Sequence, residues 1–124
     1  MKKIRPTEKE LEILQVLWEK EGSTVREVHE ILYPNEETGY TTTLKLMQIM
    51  FDKGLISRTK AGKTHHYTAI VDKENIQSEL LNRFVSNVFS GSTSSLILQL
   101  LGNTKNTPEE IKEIRDYLDK IDKK

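Results

Sequence analysis

Residues 39–54, GYTTTLKLMQIMFDKG, have helical apolar spacing, yet they open on three threonines and keep Lys45 and Gln48 among apolar neighbours. Threonine is a poor helix former, so the run needs another explanation. At about 100° per residue Thr43, Leu46, Met47 and Met50 fall in one arc, the pattern of a face packed on a core. The opposite arc carries Thr41, Lys45, Gln48 and Asp52, with Leu44 and Ile49 on its flanks. Threonine hydroxyls and the free N–H groups of a helix start suit phosphate oxygens, lysine suits phosphate or guanine, and glutamine can pair with adenine; an apolar flank can touch a thymine methyl. A helix start aimed at a DNA groove uses these residue types. A solvent-exposed helix with a chance threonine run is the plain alternative. Thr41 or an adjacent hydroxyl is the expected cap, and Gly54 the stop.

The flanking chain decides between the two. Upstream, TEKELEILQVLWEKEG begins with Thr7 and Glu10, a capping box that predicts a helix from about Glu8 to Lys20 with Leu11, Leu14, Leu17 and Trp18 inward. STVREVHEIL predicts a second, short helix capped by Ser23 or Thr24, with Val25, Val28 and Leu32 inward, ended at Tyr33-Pro34. The segment NEETGY is read as the loop into the third helix. Downstream, LISR and HHYTAI read as strands separated by the turn TKAGKT, with Lys60 and Lys63 bracketing Gly62 at the tip. Two cations at such a tip can straddle a phosphate backbone or reach a minor groove. Helix, helix, helix, hairpin is the order of a winged helix-turn-helix. The expected fold is therefore mainly α with a small β-hairpin, residues 1–71 forming the winged helix-turn-helix domain.

Residues 72–124 read as a C-terminal helical dimerisation arm. Asp72 caps KENIQSELLNRFVSNVF, whose apolar residues cover so wide an arc that two packing partners are needed. SGSTSS is a polar break, SLILQLL a short apolar helix, and TPEEIKEIRDYLDKI a last helix with Thr107 as cap, Pro108 at its first position and Glu110 completing the box. Its stripe of Ile111, Ile114, Leu118 and Ile121 lies on an otherwise charged helix, and a second copy of the chain is the expected source of burial. Leu80, Phe84, Val88, Leu96 and Leu100 complete the candidate dimerisation residues.

Composition narrows the function further. Lys+Arg and Asp+Glu are equal at 19 each, so the chain is not one that coats nucleic acid indiscriminately. Residues 40–70, however, hold Lys45, Lys53, Arg58, Lys60 and Lys63 against Asp52 alone, a local balance of +4. The absence of cysteine excludes disulfides and thiolate metal sites and fits the cytoplasm. The apolar run LILQLL is far short of a membrane span, so no membrane insertion is expected. Adjacent His65 and His66 lie on opposite faces of a strand and cannot chelate one ion, His29 reads as a structural histidine at the edge of the second helix's apolar face, and Tyr67 as packing. No nucleophile elbow, phosphate-cradling loop or acid–base pair is present, so no enzymatic activity and no cofactor are implied. A winged-helix protein-interaction module without sequence-specific DNA binding is the competing reading.

GYTTTLKLMQIMFDKGLISRTKAGKTHHYTAIV resembles the signature region of the BlaI/MecI penicillinase repressor family. TEKELEILQVLWEKEGSTVREVHEIL is similar to the family's first two helices, and SNVFSGSTSSLILQLL with PEEIKEIRDYLDKI to its dimerisation helices. The resemblance implies a bacterial transcriptional repressor, a homodimer holding two winged helices on double-stranded DNA at a dyad-symmetric operator. Carried over residue by residue, it places Thr41, Thr42, Leu44, Lys45 and Gln48 on the recognition helix and Lys60 and Lys63 on the wing. Better-known members carry a basic residue at the position of Ile49, and some at Leu44, so their operator sequence is not transferable. The resemblance also implies inactivation when a membrane sensor metalloprotease system triggers cleavage in the arm. Gln99-Leu100 is the matching bond where the family shows a pair more like Asn-Phe, and a plain packing helix is the other reading of that segment.

Overall fold

A computed structural model describes residues 5–35 and 39–123. The chain divides into two compact units, residues 1–77 and 78–124.

Local capping chemistry starts most of the helices. Helix α1 (Glu8–Glu19) opens on Thr7, whose hydroxyl accepts from the Glu10 N–H at 3.2 Å while the Glu10 carboxylate accepts from the Thr7 N–H at 2.9 Å. Helix α2 (Val25–Leu32) repeats the device with Thr24 and Glu27, a second capping box beyond the single cap expected at Ser23 or Thr24. Ser23 does something else: it is buried, and its hydroxyl donates to the Lys20 carbonyl. Helix α3 (Tyr40–Lys53) corrects the expected cap. It has no side-chain cap at all; Gly39 is the N-cap, at φ +95°, a left-handed conformation that favours glycine. Thr41 lies inside the first turn and its hydroxyl is exposed. The loop expected at 35–40 falls largely on residues 36–38, outside the described residues.

Strands β1 (Ile56–Ala61) and β2 (Thr64–Ala69) pair antiparallel from Ile56 opposite Ala69 to Ala61 opposite Thr64. The turn is thus shorter than TKAGKT suggested, because ladder pairing claims Thr59, Lys60 and Ala61 for β1. Only Gly62 and Lys63 remain between the strands, with Gly62 at φ +64°. Lys60 consequently sits on the ladder opposite His65 rather than at the tip. The β2 backbone also bonds the turn before α2: Gly22 N–H donates to the Tyr67 carbonyl at 2.9 Å and Tyr67 N–H to the Ser23 carbonyl at 2.8 Å.

The core of the first unit joins Ile13, Leu14, Val16 and Leu17 of α1, Val25 and Val28 of α2, Met47 and Met50 of α3, Leu55, Ile56 of β1 and Tyr67 of β2. Tyr67 is 2% exposed, as packing. The α1 face is rotated from the expected one: Ile13 and Val16 are buried, while Leu11 and Trp18 are only half-buried. Trp18 is held at the rim by its indole N–H, which donates to the Val71 carbonyl at 3.0 Å. Glu10, also in the core, accepts from Lys53 Nζ on both carboxylate oxygens at 2.9 Å, which fastens the end of α3 to the start of α1. Lys53→Ala is expected to destabilise the fold by about 2 kcal/mol by leaving a buried carboxylate without its cation. Urea unfolding measures this, and an unchanged midpoint would remove the pair from the account.

Helix α4 (Lys73–Val88) starts at Asp72, whose carboxylate accepts from the Asn75 N–H at 3.1 Å. Helix α5 (Thr93–Asn103) is capped by Ser92. Helix α6 (Pro108–Asp122) has Pro108 in its first turn and the Thr107–Glu110 capping box. Neither α5 nor α6 buries a single residue. Among the described residues no single helix is long and apolar enough to cross a membrane.

Candidate nucleic-acid interface

Helix α3 presents two unlike faces. Thr43, Met47 and Met50 are buried, which leaves Thr41, Thr42, Lys45, Gln48 and Asp52 exposed along the other side, with Leu44 half-buried and Ile49 exposed on its flanks. The start of this helix therefore offers hydroxyls and N–H groups not taken by a capping side chain.

A buried layer holds that start in place. His29, 4% exposed, puts Nδ1 2.8 Å from the Thr43 hydroxyl, and its ring lies 5.4 Å from Tyr33 and, edge-on, 5.9 Å from Tyr40. The histidine expected at the edge of an apolar face is thus inside, carrying the polar contact between α2 and α3. Its burial requires a hydrogen-bond partner, and Thr43 supplies one. Sequence spacing gave no sign of this, because residues 29 and 43 meet only through the helix-to-helix packing.

The wing stands beside the helix. Lys60 and Lys63 are both exposed. Arg58 stacks on Phe51 with its guanidinium 4.0 Å from the ring centroid, joining β1 to the last turns of α3. His66 Nδ1 donates to the Gly22 carbonyl at 2.8 Å, while His65 packs edge-on to Tyr67 at 6.3 Å, so the two histidines face apart. Of the cations counted in residues 40–70, Lys53 is neutralised by Glu10; Lys45, Lys60 and Lys63 present charge outward.

Between the first turn of α2, the first turns of α3 and the wing runs an open groove of about 440 Å³. Arg26 and Lys63 both line it, together with Tyr40 and Leu44. Arg26 was missed by sequence reasoning: on a short helix with core-facing valines, a polar position reads as ordinary solvated surface.

In the second unit the candidate dimerisation residues are largely uncovered. Phe84, Val88, Leu100, Leu118 and Ile121 are exposed, Ile114 borders on it, and Leu80, Leu96 and Ile111 are half-buried. Leu81, Ile97, Leu98 and Tyr117, absent from the expected set, are exposed as well. Gln99 and Leu100 lie within α5, both exposed.

The penicillinase repressor family model matches residues 6–120. The methicillin resistance regulatory protein MecI of Staphylococcus aureus strain N315 is 25% identical over 111 residues, covering 90% of each chain. The penicillinase repressor of Bacillus licheniformis is 26% identical over 120 residues, 96% of this chain and 94% of that protein. Among solved structures, the solution structure of the DNA binding domain of the repressor BlaI superposes with a TM-score of 0.51 at 26% identity, covering 60% of this chain and 93% of that one. With the winged-helix order of elements and a family match over nearly its whole length, the chain belongs to the penicillinase repressor family.

Proposed function

We propose that the chain is a cytoplasmic DNA-binding transcriptional repressor, not an enzyme, that acts as a homodimer on a dyad-symmetric operator. The observation that carries this is the exposed stripe of Thr41, Lys45 and Gln48 on α3, beside the cationic wing. These are groups that fit phosphates and base edges, and α3 has the length to lie in a major groove. Thr42 and Leu44 extend the contact along the helix, and Lys60 and Lys63 bind phosphate or enter the minor groove from the wing. Residues 1–71 form the DNA-binding domain. Residues 72–124 form the dimerisation arm, an assignment supported by two helices, α5 and α6, that bury nothing of their own. A dimer built this way spaces its half-sites by roughly 34 Å or a multiple.

Release of the DNA follows cleavage of Gln99-Leu100 by a protease under the control of a membrane sensor. That bond lies inside α5, so cleavage needs local opening of a helix with no buried residue to resist it. Protein that stays intact in its native cell after induction would dismiss this step.

The direct test is titration of purified protein against a labelled duplex from the region upstream of its own gene, with a scrambled duplex as control, at several salt concentrations. Tight, sequence-dependent binding that weakens steeply with salt is expected. Equal, weak binding to both duplexes, with little salt dependence, would instead make the α3 face and wing a protein-interaction surface.

A further inference from the structure

We propose that Arg26, on α2, is a phosphate-binding residue for one strand of duplex DNA, held ready by Tyr40 of α3. The proposal rests on the DNA-binding reading above and extends the contact surface to a helix otherwise occupied with the core.

The Arg26 guanidinium lies 4.8 Å from the centroid of the Tyr40 ring. Tyr40 is the first residue of α3, and its other neighbour is the buried His29, edge-on at 5.9 Å. The platform under the guanidinium is therefore braced by the layer that fixes the start of the recognition helix. An arginine stem has much rotamer freedom to lose, and stacking removes part of it before any ligand arrives. A planar guanidinium on an aromatic face also keeps its N–H groups free at the edge, where they can form a fork with phosphate oxygens.

The charge around it points to an anion. Arg26 and Lys63 both line the groove, Thr24 and Thr64 add hydroxyls, and none of the lining residues is a carboxylate. Glu27 follows Arg26 in the chain, but adjacent helical residues do not face each other. Its carboxylate is engaged as the α2 cap, accepting from the Thr24 N–H at 2.8 Å. That bond, above all, lowers its pKa, with Lys20 and His66 adding to the effect. Among the described residues no carboxylate pairs with Arg26.

The groove's position makes the anion a DNA strand. One side of it is the start of α3, through Tyr40 and Leu44, and Leu44 flanks the stripe that carries Lys45 and Gln48. A sugar–phosphate backbone lying between α2 and the wing would lead directly onto the bases beneath that stripe.

Titrations of the unsubstituted protein, Arg26→Gln, Tyr40→Leu and the double variant test this, against the upstream duplex and its scrambled control over a range of KCl concentrations. Arg26→Gln should weaken binding to both duplexes by about tenfold. It should also lower the slope of log affinity against log salt by about 0.9 per protomer. The ratio between the two duplexes should be unchanged, since phosphate contacts carry no sequence information. Tyr40→Leu should weaken binding to a smaller extent, and the double variant should bind no more weakly than Arg26→Gln. Unaltered affinity and salt slope in Arg26→Gln, or a loss confined to one duplex, would overturn the proposal while leaving the DNA-binding reading intact. Failure of the unsubstituted protein to bind either duplex would overturn that reading and the proposal with it.

Discussion

Replacing Ile114 and Leu118 together by aspartate is expected to convert a dimer into monomers and to reduce operator affinity by roughly 10²- to 10⁴-fold, the gain that linking two binding modules provides. Both positions lie on the exposed apolar stripe of α6, and two carboxylates placed there would have to be desolvated at any interface the stripe forms. Binding to a scrambled duplex should fall much less, because one winged helix retains its own phosphate contacts. The DNA-binding domain should stay folded in this variant, since its buried core is drawn from residues 13–67. Light scattering supplies the decisive reading: a double variant still at dimer mass would move the interface away from α6.

Lys45→Ala and Gln48→Ala should each weaken operator binding by about 1–3 kcal/mol per half-site if their side chains read bases. Both residues are exposed on α3, and alanine is at least as good a helix former as either, so thermal stability should hold. The two substitutions should also differ in kind. Loss of Lys45 should flatten the salt dependence, whereas loss of the uncharged Gln48 should relax base preference at one operator position and leave the salt slope alone. Parent-like operator affinity in both variants would take this helix out of the interface.

These variants probe residues legible in the sequence, because they belong to α3, where periodicity alone separates the two faces. Thr43, Met47 and Met50 go inward and Thr41, Lys45 and Gln48 outward because the helix repeat leaves no other choice. The same holds for the boxes at Thr7–Glu10 and Thr107–Glu110, in which donor and acceptor are three residues apart and need no help from the rest of the fold. Errors arose where a local preference met a tertiary one. Thr41 has a capping hydroxyl, yet the helix begins earlier because Gly39 can adopt the left-handed backbone of the turn. TKAGKT looks like a loop, yet antiparallel pairing carries both strands up to Gly62 and Lys63.

Spacings of two to four residues were enough to fix the order of helices and hairpin, the capping boxes of α1 and α6, the outward stripe of α3 and the apolar stripe of α6. Which polar residues meet is settled by packing between elements: His29 with Thr43, Glu10 with Lys53, Arg26 with Tyr40. Those partners stand 14, 43 and 14 positions apart in the chain. Their encounter depends on the angle and depth at which helices pack, set by the summed contacts of the whole core, which no periodicity in one segment encodes.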